Sequence, residues 1–274
     1  MTHSPTAHPR RGGDPAKAPW LKLSTAIPAA ICFVAPAFAT EPPFHLQTED
    51  LINAAYEAAG GETWRRPETL IMRGTAVFYD GETAKPSEEH VMWRVYDGDK
   101  SDAHTADGKV RVRSVRDGIA FIDVAFDGQT TSTVKGPQPQ SEADKRWASN
   151  FGFGVIRHAL DDGYRVERLA PDFVDGHASE VVRVIDPEGG ETLFWIDSVT
   201  YAIRKVGFDT ERGWHERIYS DFFSKPGTDW QQPGLVRLYY NGVRANDVRW
   251  TDFDLNTDIP DCVFTLPEVE GCKE

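Results

Sequence analysis

Residues 161–209, DDGYRVERLAPDFVDGHASEVVRVIDPEGGETLFWIDSVTYAIRKVGFD, alternate short apolar and polar runs with turn signals. The turn signals are Asp-Gly, Pro-Glu-Gly-Gly and Asp-Ser. This pattern predicts consecutive antiparallel strands joined by tight hairpins. Parallel strands need a crossover of a dozen or more residues, and the stretch has no room for one. The sequence therefore argues against a nucleotide-binding α/β fold.

Alternating runs continue on both sides of this stretch and predict a meander of further strands. We expect strands at 70–79, 87–96, 108–116, 119–126, 129–134, 214–223, 234–241 and 243–255. The segment Gly136-Pro137-Gln138-Pro139 is expected to break the sheet. No linker rich in Pro, Gly or Ser divides residues 40–274, so we expect one mainly β domain there.

Two segments have helical rather than strand periodicity. Residues 48–59 place their apolar side chains on one face, with Thr48 as a candidate cap and Gly60-Gly61 as the end. Residues 142–160 form a second, strongly apolar candidate that glycines at 152 and 154 could split.

Several of these segments together resemble a known family. The motifs are Tyr56-Glu-Ala-Ala-Gly-Gly, the Asp-Gly-Tyr that ends at Tyr164, Val174-Asp-Gly-His-Ala, Trp195-Ile-Asp-Ser-Val-Thr-Tyr-Ala-Ile-Arg-Lys and Val248-Arg-Trp-Thr-Asp-Phe. In these motifs the chain resembles the outer-membrane lipoprotein-sorting proteins, which are periplasmic carriers related to the Lol-type lipoprotein chaperones. The resemblance implies an unclosed antiparallel β half-barrel, with helices across its mouth and an apolar cavity for acyl chains. The motifs are structural, so they indicate the fold more strongly than the ligand.

The first 39 residues are typical of a secretory signal peptide. Basic residues precede an apolar run at 26–34 that is too short to span a bilayer, and Ala37-Phe38-Ala39 is an A-x-A cleavage site. We therefore expect residues 1–39 to be removed and residues 40–274 to be a soluble periplasmic domain. The charge of −13 argues against nucleic acid as a partner.

Two cysteines, Cys262 and Cys272, remain after residue 40. Ten residues apart in an exported chain, they predict a disulfide, and two free thiols are the alternative.

The sequence has no motif of an enzyme site. It lacks Gly-x-Ser-x-Gly and His-Glu-x-x-His, and Gly152-Phe-Gly matches neither a P-loop nor a dinucleotide fingerprint. His158 with Asp161 and Asp162 is interpreted as a helix C-terminal turn rather than an acid–base site. The spacing of Asp252, Asp254 and Asp258 only faintly resembles a calcium loop. We expect no catalytic residues, metal or cofactor.

The abundant aromatic residues fit either a filled core or a cavity, and the family resemblance favours the cavity. We expect the 142–160 helix to cover the open side of the sheet, with the sheet contributing large apolar side chains. The predicted lining is Phe151, Val155, Ile156 and Leu160 from the helix and Trp93, Phe121 and Phe194 from the strands.

The predicted function is therefore a periplasmic carrier for lipid or lipoprotein acyl chains in outer-membrane lipoprotein sorting, served by a membrane-bound donor or acceptor protein. A periplasmic hydrolase that uses the same cavity is one alternative. An interaction module with a filled core and no ligand is another.

Overall fold

The computed structural model describes residues 46–97, 108–138, 154–210, 212–268 and 271–272. The predicted signal peptide and Phe151 lie outside these residues. No helix in the described ranges is long and apolar enough to cross a membrane.

The described chain is mainly antiparallel β-structure. Its strands, in chain order, are β1 (Thr69–Asp80), β2 (Thr83–Pro86), β3 (Glu89–Val95), β4 (Lys109–Arg116), β5 (Ile119–Phe126), β6 (Thr131–Thr133), β7 (Gly136–Pro137), β8 (Arg165–Arg168), β9 (Asp172–Val174), β10 (His177–Ile185), β11 (Glu191–Asp197), β12 (Ile203–Thr210), β13 (Gly213–Ser220), β14 (Leu235–Tyr240) and β15 (Val243–Leu255).

All these strands belong to a single sheet that does not close. The strand order is β7-β6-β5-β4-β3-β1-β15-β14-β13-β12-β11-β10-β8, with β2 paired to β1 and β9 to β10. Most strands that are consecutive in sequence are neighbours in the sheet. The exceptions are β2 and β3, which both pair with β1, β8 and β9, which both pair with β10, and β7 and β8, which lie at opposite ends of the strand order. The pairing of β1 with β15 joins the two halves of the sheet. The predicted unclosed half-barrel is confirmed, and the first and last long strands lie side by side at its centre.

Most predicted strands agree with the structure to within three residues at each end, but β2 was not predicted and one predicted break is a strand. Residues 136–137 were expected to break the sheet, but they form β7, with Gly136 opposite Thr133 and Pro137 opposite Ser132. This expectation was wrong because β7 is an edge strand, where proline is tolerated since its missing N–H faces no second neighbour.

The first helix, α1 (Thr48–Ala59), has the predicted bounds and ends at Gly60, whose φ of 133° suits glycine. Thr48, however, does not cap it: Gln47 is the N-cap and makes no side-chain capping bond. Gly61 begins a second short helix, α2 (Gly61–Arg65).

Only the end of the predicted 142–160 helix falls within the described residues. It forms a single turn, α3 (Gly154–Arg157), and turn structure follows from residue 158. The expectation that the helix continues to residue 160 was therefore wrong. A hydrogen bond joins α3 to α1, because the Tyr56 hydroxyl donates to the Ile156 carbonyl at 2.7 Å. Burial raises the pKa of Tyr56 to about 12, so this hydroxyl keeps its proton.

The concave face of the sheet packs against these helices and forms the main core. Leu51, Ile52 and Ala55 of α1 and Ile156 of α3 are almost fully buried there. Burial of this apolar face stabilises a helix that would be marginal by itself.

The opposite face carries a second, smaller core. A 3₁₀-helix, η1 (Asp261–Phe264), lies over it and buries Val263 and Phe264 against Ile71, Val91 and Trp93. The predicted disulfide between Cys262 and Cys272 is present in this segment. It ties the chain terminus to this second core, against which Cys272 packs.

We predict that Gly74→Ala destabilises the protein by about 2 kcal/mol or more, because there is no room for a methyl group. A β-bulge at Arg73/Gly74 brings β15 so close that a Cβ on Gly74 would lie 1.9 Å from the Arg249 carbonyl oxygen. Urea unfolding measures the loss. Thr75→Ala, at the exposed neighbouring position, is the control and should change stability by less than about 0.5 kcal/mol. Equal stability of the two variants would contradict the steric argument.

We predict that the Cys262→Ser/Cys272→Ser variant loses about 2–3 kcal/mol of unfolding free energy, since the unfolded chain gains the freedom of the opened loop. Urea unfolding with and without reductant measures it. Reductant should lower the stability of the wild type and leave the variant unchanged. Thiol labelling of Cys262 and Cys272 in the denatured, unreduced wild type would show that the bond does not form.

Candidate ligand-binding cavity

The concave side of the sheet is not completely filled by the helices. A cavity of about 560 Å³ remains, bounded mainly by β1, β3, β4, β5, β14 and β15. Small-molecule sites typically enclose about 300–1,000 Å³. The cavity is thus large enough for a ligand.

Most of the cavity wall is apolar. The aliphatic and aromatic lining consists of Leu70, Met72, Phe78, Met92, Val112, Ile122, Val124, Trp230, Val236, Leu238, Val248 and Trp250. All of these residues except Trp230 lie on strands, where they alternate with residues on the other face, as the period of a strand requires. A hydrocarbon ligand would meet almost continuous hydrocarbon here.

Trp93, a predicted lining residue, points away from the cavity. Its neighbour Met92 lines the cavity, whereas Trp93 packs against Phe264 in the second core. Adjacent strand residues face opposite sides of a sheet, so only one of the two can enter the cavity. The sequence does not reveal which, because both faces of β3 are covered.

Phe121 lies beside the cavity rather than in its wall. Its side chain is 37% exposed and meets the ring of Phe78 edge-on, with centroids 5.7 Å apart. A β-bulge at Ser114/Val115 leaves Phe121 without a partner on β4, and Ile122 takes the lining position. A bulge shifts the alternation by one residue, and strict periodicity cannot anticipate it.

The other predicted lining residues pack in the main core but do not line the cavity. Val155, Ile156 and Phe194 are buried in it, and Leu160 packs against it partly exposed. Phe151 lies outside the described residues. These four residues thus lie in or against the main core, while the open volume lies among other side chains of the same core.

Arg157 enters the cavity from α3, and sequence reasoning did not single it out. Its guanidinium lies near three aromatic rings, 4.8 Å from Trp64, 5.0 Å from Tyr96 and 5.9 Å from Trp230. Arginine stacks favourably on aromatic faces, and this accommodates the charge in an apolar region. Of the three ring residues, Tyr96 and Trp230 line the cavity with Arg157.

His90 is a polar residue in the middle of the cavity wall. Its Nδ1 shares a 2.7 Å hydrogen bond with Ser114 Oγ, and its ring lies 5.0 Å from that of Trp250. Burial lowers the pKa of His90 to about 4. The imidazole is therefore neutral near pH 7.

Strand β13 adds three polar residues on its inner face: His215, Arg217 and Tyr219. Arg217 Nε donates to His215 Nε2 at 3.0 Å, so this imidazole must also be neutral. Burial, together with the positive charges of Arg217 and Arg212, lowers the pKa of His215 to about 2. The bond orients the Arg217 guanidinium in the cavity wall.

The rim of the cavity at the β12–β13 hairpin is polar. Thr210 and Arg212 line it from this hairpin, and Tyr240 and Asn246 line it from β14 and β15. The guanidinium of Arg212 lies 4.1 Å from the centroid of the Tyr240 ring. Arg212 is exposed, so this end of the cavity is in contact with solvent.

Asp252 and Asp254, whose spacing faintly resembles a calcium loop, form ion pairs with a lysine. Lys225 Nζ lies 2.8 Å from Asp252 and 3.2 Å from Asp254, and Arg73 lies 2.6 Å from Asp254. Within the described ranges, no group of three His, Cys, Asp or Glu side chains is placed to hold a metal ion.

His158 and Asp161 form an ion-pair network at the turn after α3. Asp161 lies 2.7 Å from His158 Nδ1 and 3.0 Å from Arg65. The network links this turn to α2, which supports the interpretation of His158 as a structural residue.

Comparison with solved structures identifies the fold class. A LolA superfamily protein from Nitrosomonas europaea superposes with a TM-score of 0.51 and 11% identity, over 81% of this chain and 98% of that one. An outer membrane lipoprotein-sorting protein domain from Vibrio parahaemolyticus gives a TM-score of 0.46 and 12% identity, over 78% and 95%. No protein-family model and no curated protein matches the sequence. The resemblance to the Lol-type family is thus confirmed at the level of the fold.

We predict that the protein loses stability between pH 7.0 and 5.5 through His90 and His215. Unfolded histidines bind protons near pH 6.5, whereas the folded pKa values are about 4 and about 2. The unfolded state therefore binds more protons in this range, and stability falls by about 1.2 kcal/mol for each histidine.

Urea unfolding at the two pH values measures this loss. His90→Gln should retain only about half of the fall, because one of the two histidines remains. His177→Gln, at an exposed position, is the matched control and should retain most of it. A stability that does not change between these pH values in the wild type would contradict the assignment.

Proposed function

We propose that the protein is a periplasmic carrier that binds lipid or lipoprotein acyl chains in the cavity of the half-barrel. The observation that carries the proposal is the roughly 560 Å³ apolar volume between the sheet and its helices. A protein with a merely structural role would gain stability by filling this space, since unfilled core volume weakens packing. The fold shared with a LolA superfamily protein supports the same reading.

The strength of binding expected from such a cavity suits a carrier. A sixteen-carbon chain has about fifteen methylenes, and at roughly 0.8 kcal/mol each their burial contributes about 12 kcal/mol. The loss of translational and chain entropy offsets a large part of this gain. The remainder is sufficient for capture and still permits release.

We also infer that the protein is not an enzyme. The feature closest to a catalytic pair is Ser114 with His90, but Ser114 is fully buried and does not line the cavity. Its hydroxyl cannot reach a ligand there, so the Ser114–His90 bond is a structural contact in the wall. The hydrolase alternative has no other support from the described residues.

The proposed location follows from the sequence of residues 1–39, which has the features of a signal peptide. We propose removal of these residues on export, and delivery of the ligand between a membrane-bound donor and an acceptor. The cavity has an exposed rim through which transfer could occur.

The proposal predicts co-purification of lipid. Native mass spectrometry of gently purified protein should show an adduct of lipid mass, and solvent extraction should recover an acyl compound. Leu238→Trp should lower the bound fraction about tenfold, because the indole occupies space in the cavity that Leu238 lines.

Val243→Trp is the matched control for this substitution. Val243 is 68% exposed at the β14–β15 hairpin and does not line the cavity, so the adduct should persist. If the wild type carries no lipid and binds no added fatty acid, the carrier proposal fails. The filled-core module would then be the better account.

A further inference from the structure

The charged side chains that line the cavity differ in sign from the protein as a whole. The chain carries a net charge of −13. Among the described residues, however, the cavity lining includes Arg157, Arg212 and Arg217 and no Asp or Glu. If charged side chains were placed at random on so acidic a chain, carboxylates would outnumber cations at the cavity. The excess of cations therefore indicates a specific requirement for positive charge in the cavity lining.

A ligand made only of hydrocarbon does not require these arginines. Placing a charged side chain in an apolar cavity carries a desolvation cost that an aliphatic residue of similar volume would avoid. The cost for Arg217 is evident in its pKa, which burial lowers. Guanidinium groups in such a setting are suited to carboxylate or phosphate, with which they form paired, charge-assisted hydrogen bonds.

The rim is the best-defined place for an anionic group. Arg212 is exposed at the β12–β13 hairpin, and its guanidinium lies 4.1 Å from the Tyr240 ring centroid. Stacking limits the orientations of this long side chain and lowers the entropy lost on ion pairing. Thr210 and Asn246 line the same end. The Thr210 hydroxyl donates to the Gly213 carbonyl at 2.8 Å, and the Asn246 amide can donate a hydrogen bond to a ligand.

The rest of the cavity fits the tail of the same molecule. From the rim the wall continues through Leu238, Val248 and Trp250 to Met72 and Met92, all apolar. The cavity thus has a polar, cationic, solvent-exposed end at the hairpin, and beyond it a mainly apolar wall in which His90, Arg157 and Arg217 are buried. This division matches an amphiphile whose head stays at the rim while its chain is buried.

We propose that the occupant of the cavity is an acyl amphiphile with an anionic head group, which Arg212 recognises at the rim beside Thr210, Tyr240 and Asn246. This inference rests on the proposed carrier function and specifies its ligand class. A fatty-acid carboxylate and a phosphate-bearing lipid share this chemistry.

Binding of three ligands with the same chain separates head group from tail. Dodecanoate, dodecyl phosphate and 1-dodecanol are titrated into delipidated protein at pH 7.5, with displacement of a fluorescent fatty acid as the readout. Both anions should bind about tenfold more tightly than the alcohol, the difference expected of one charge-assisted contact. Added salt should reduce the preference, since the rim is exposed to solvent.

Two substitutions of Arg212 test the assigned residue. Arg212→Gln should remove most of the preference for anions, reducing anion binding much more than alcohol binding. Arg212→Lys should retain part of it, because the charge remains while the paired geometry is lost. Arg165→Gln removes the same charge from an exposed position on β8 outside the cavity and should leave the preference intact. Thermal unfolding of each variant checks that the fold is kept.

The outcomes distinguish this inference from the proposed function. Equal binding of all three ligands, or a preference for anions that Arg212→Gln leaves intact, would overturn the inference and leave the carrier function standing. Absence of binding by every ligand would overturn both. Tighter binding of dodecanoate than of dodecyl phosphate would identify the carboxylate as the preferred head, and the reverse order would identify the phosphate.

Discussion

The pairing of β1 with β15 is the constraint on which the rest of the structure depends. These strands come from the two ends of the domain, and their pairing joins two antiparallel meanders into a single curved sheet. The pairing is tightest at the bulge beside Gly74, where the β15 backbone leaves no room for a side chain. Without this contact, the cavity walls supplied by β3–β5 and by β14 would not face one another across a common concave surface.

An unclosed sheet of this length has two faces to protect from water. The C-terminal segment covers part of the convex face, where Arg111 is buried with both carboxylate oxygens of Asp123 at 2.8 Å. The concave face is larger, and the helices cover it without filling it. The second core thus stabilises the sheet, whereas the main core leaves the cavity in which we propose that a ligand binds.

The polar groups inside the cavity show how the fold accommodates charge. Two buried histidines remain neutral, and one of them accepts a hydrogen bond from Arg217. Arg157 lies among aromatic rings, which provide a favourable electrostatic surface. Positive charge can therefore be placed around an apolar volume while the outside of the protein remains acidic. This arrangement favours anionic amphiphiles over neutral hydrocarbon.

The sequence by itself determined most of the strands, the first helix and the disulfide, because alternation, glycine ends and cysteine spacing act over short distances. It did not predict β2 or the edge strand β7. The bounds of β5 and β15 follow directly from their alternating residues. Only the tertiary structure decided which face of each strand meets the cavity. Met92 and Trp93 are equally apolar, and the difference between them depends on what covers each face. The bulge at Phe121 and the aromatic surroundings of Arg157 likewise arise from contacts between distant segments, and no local pattern records them.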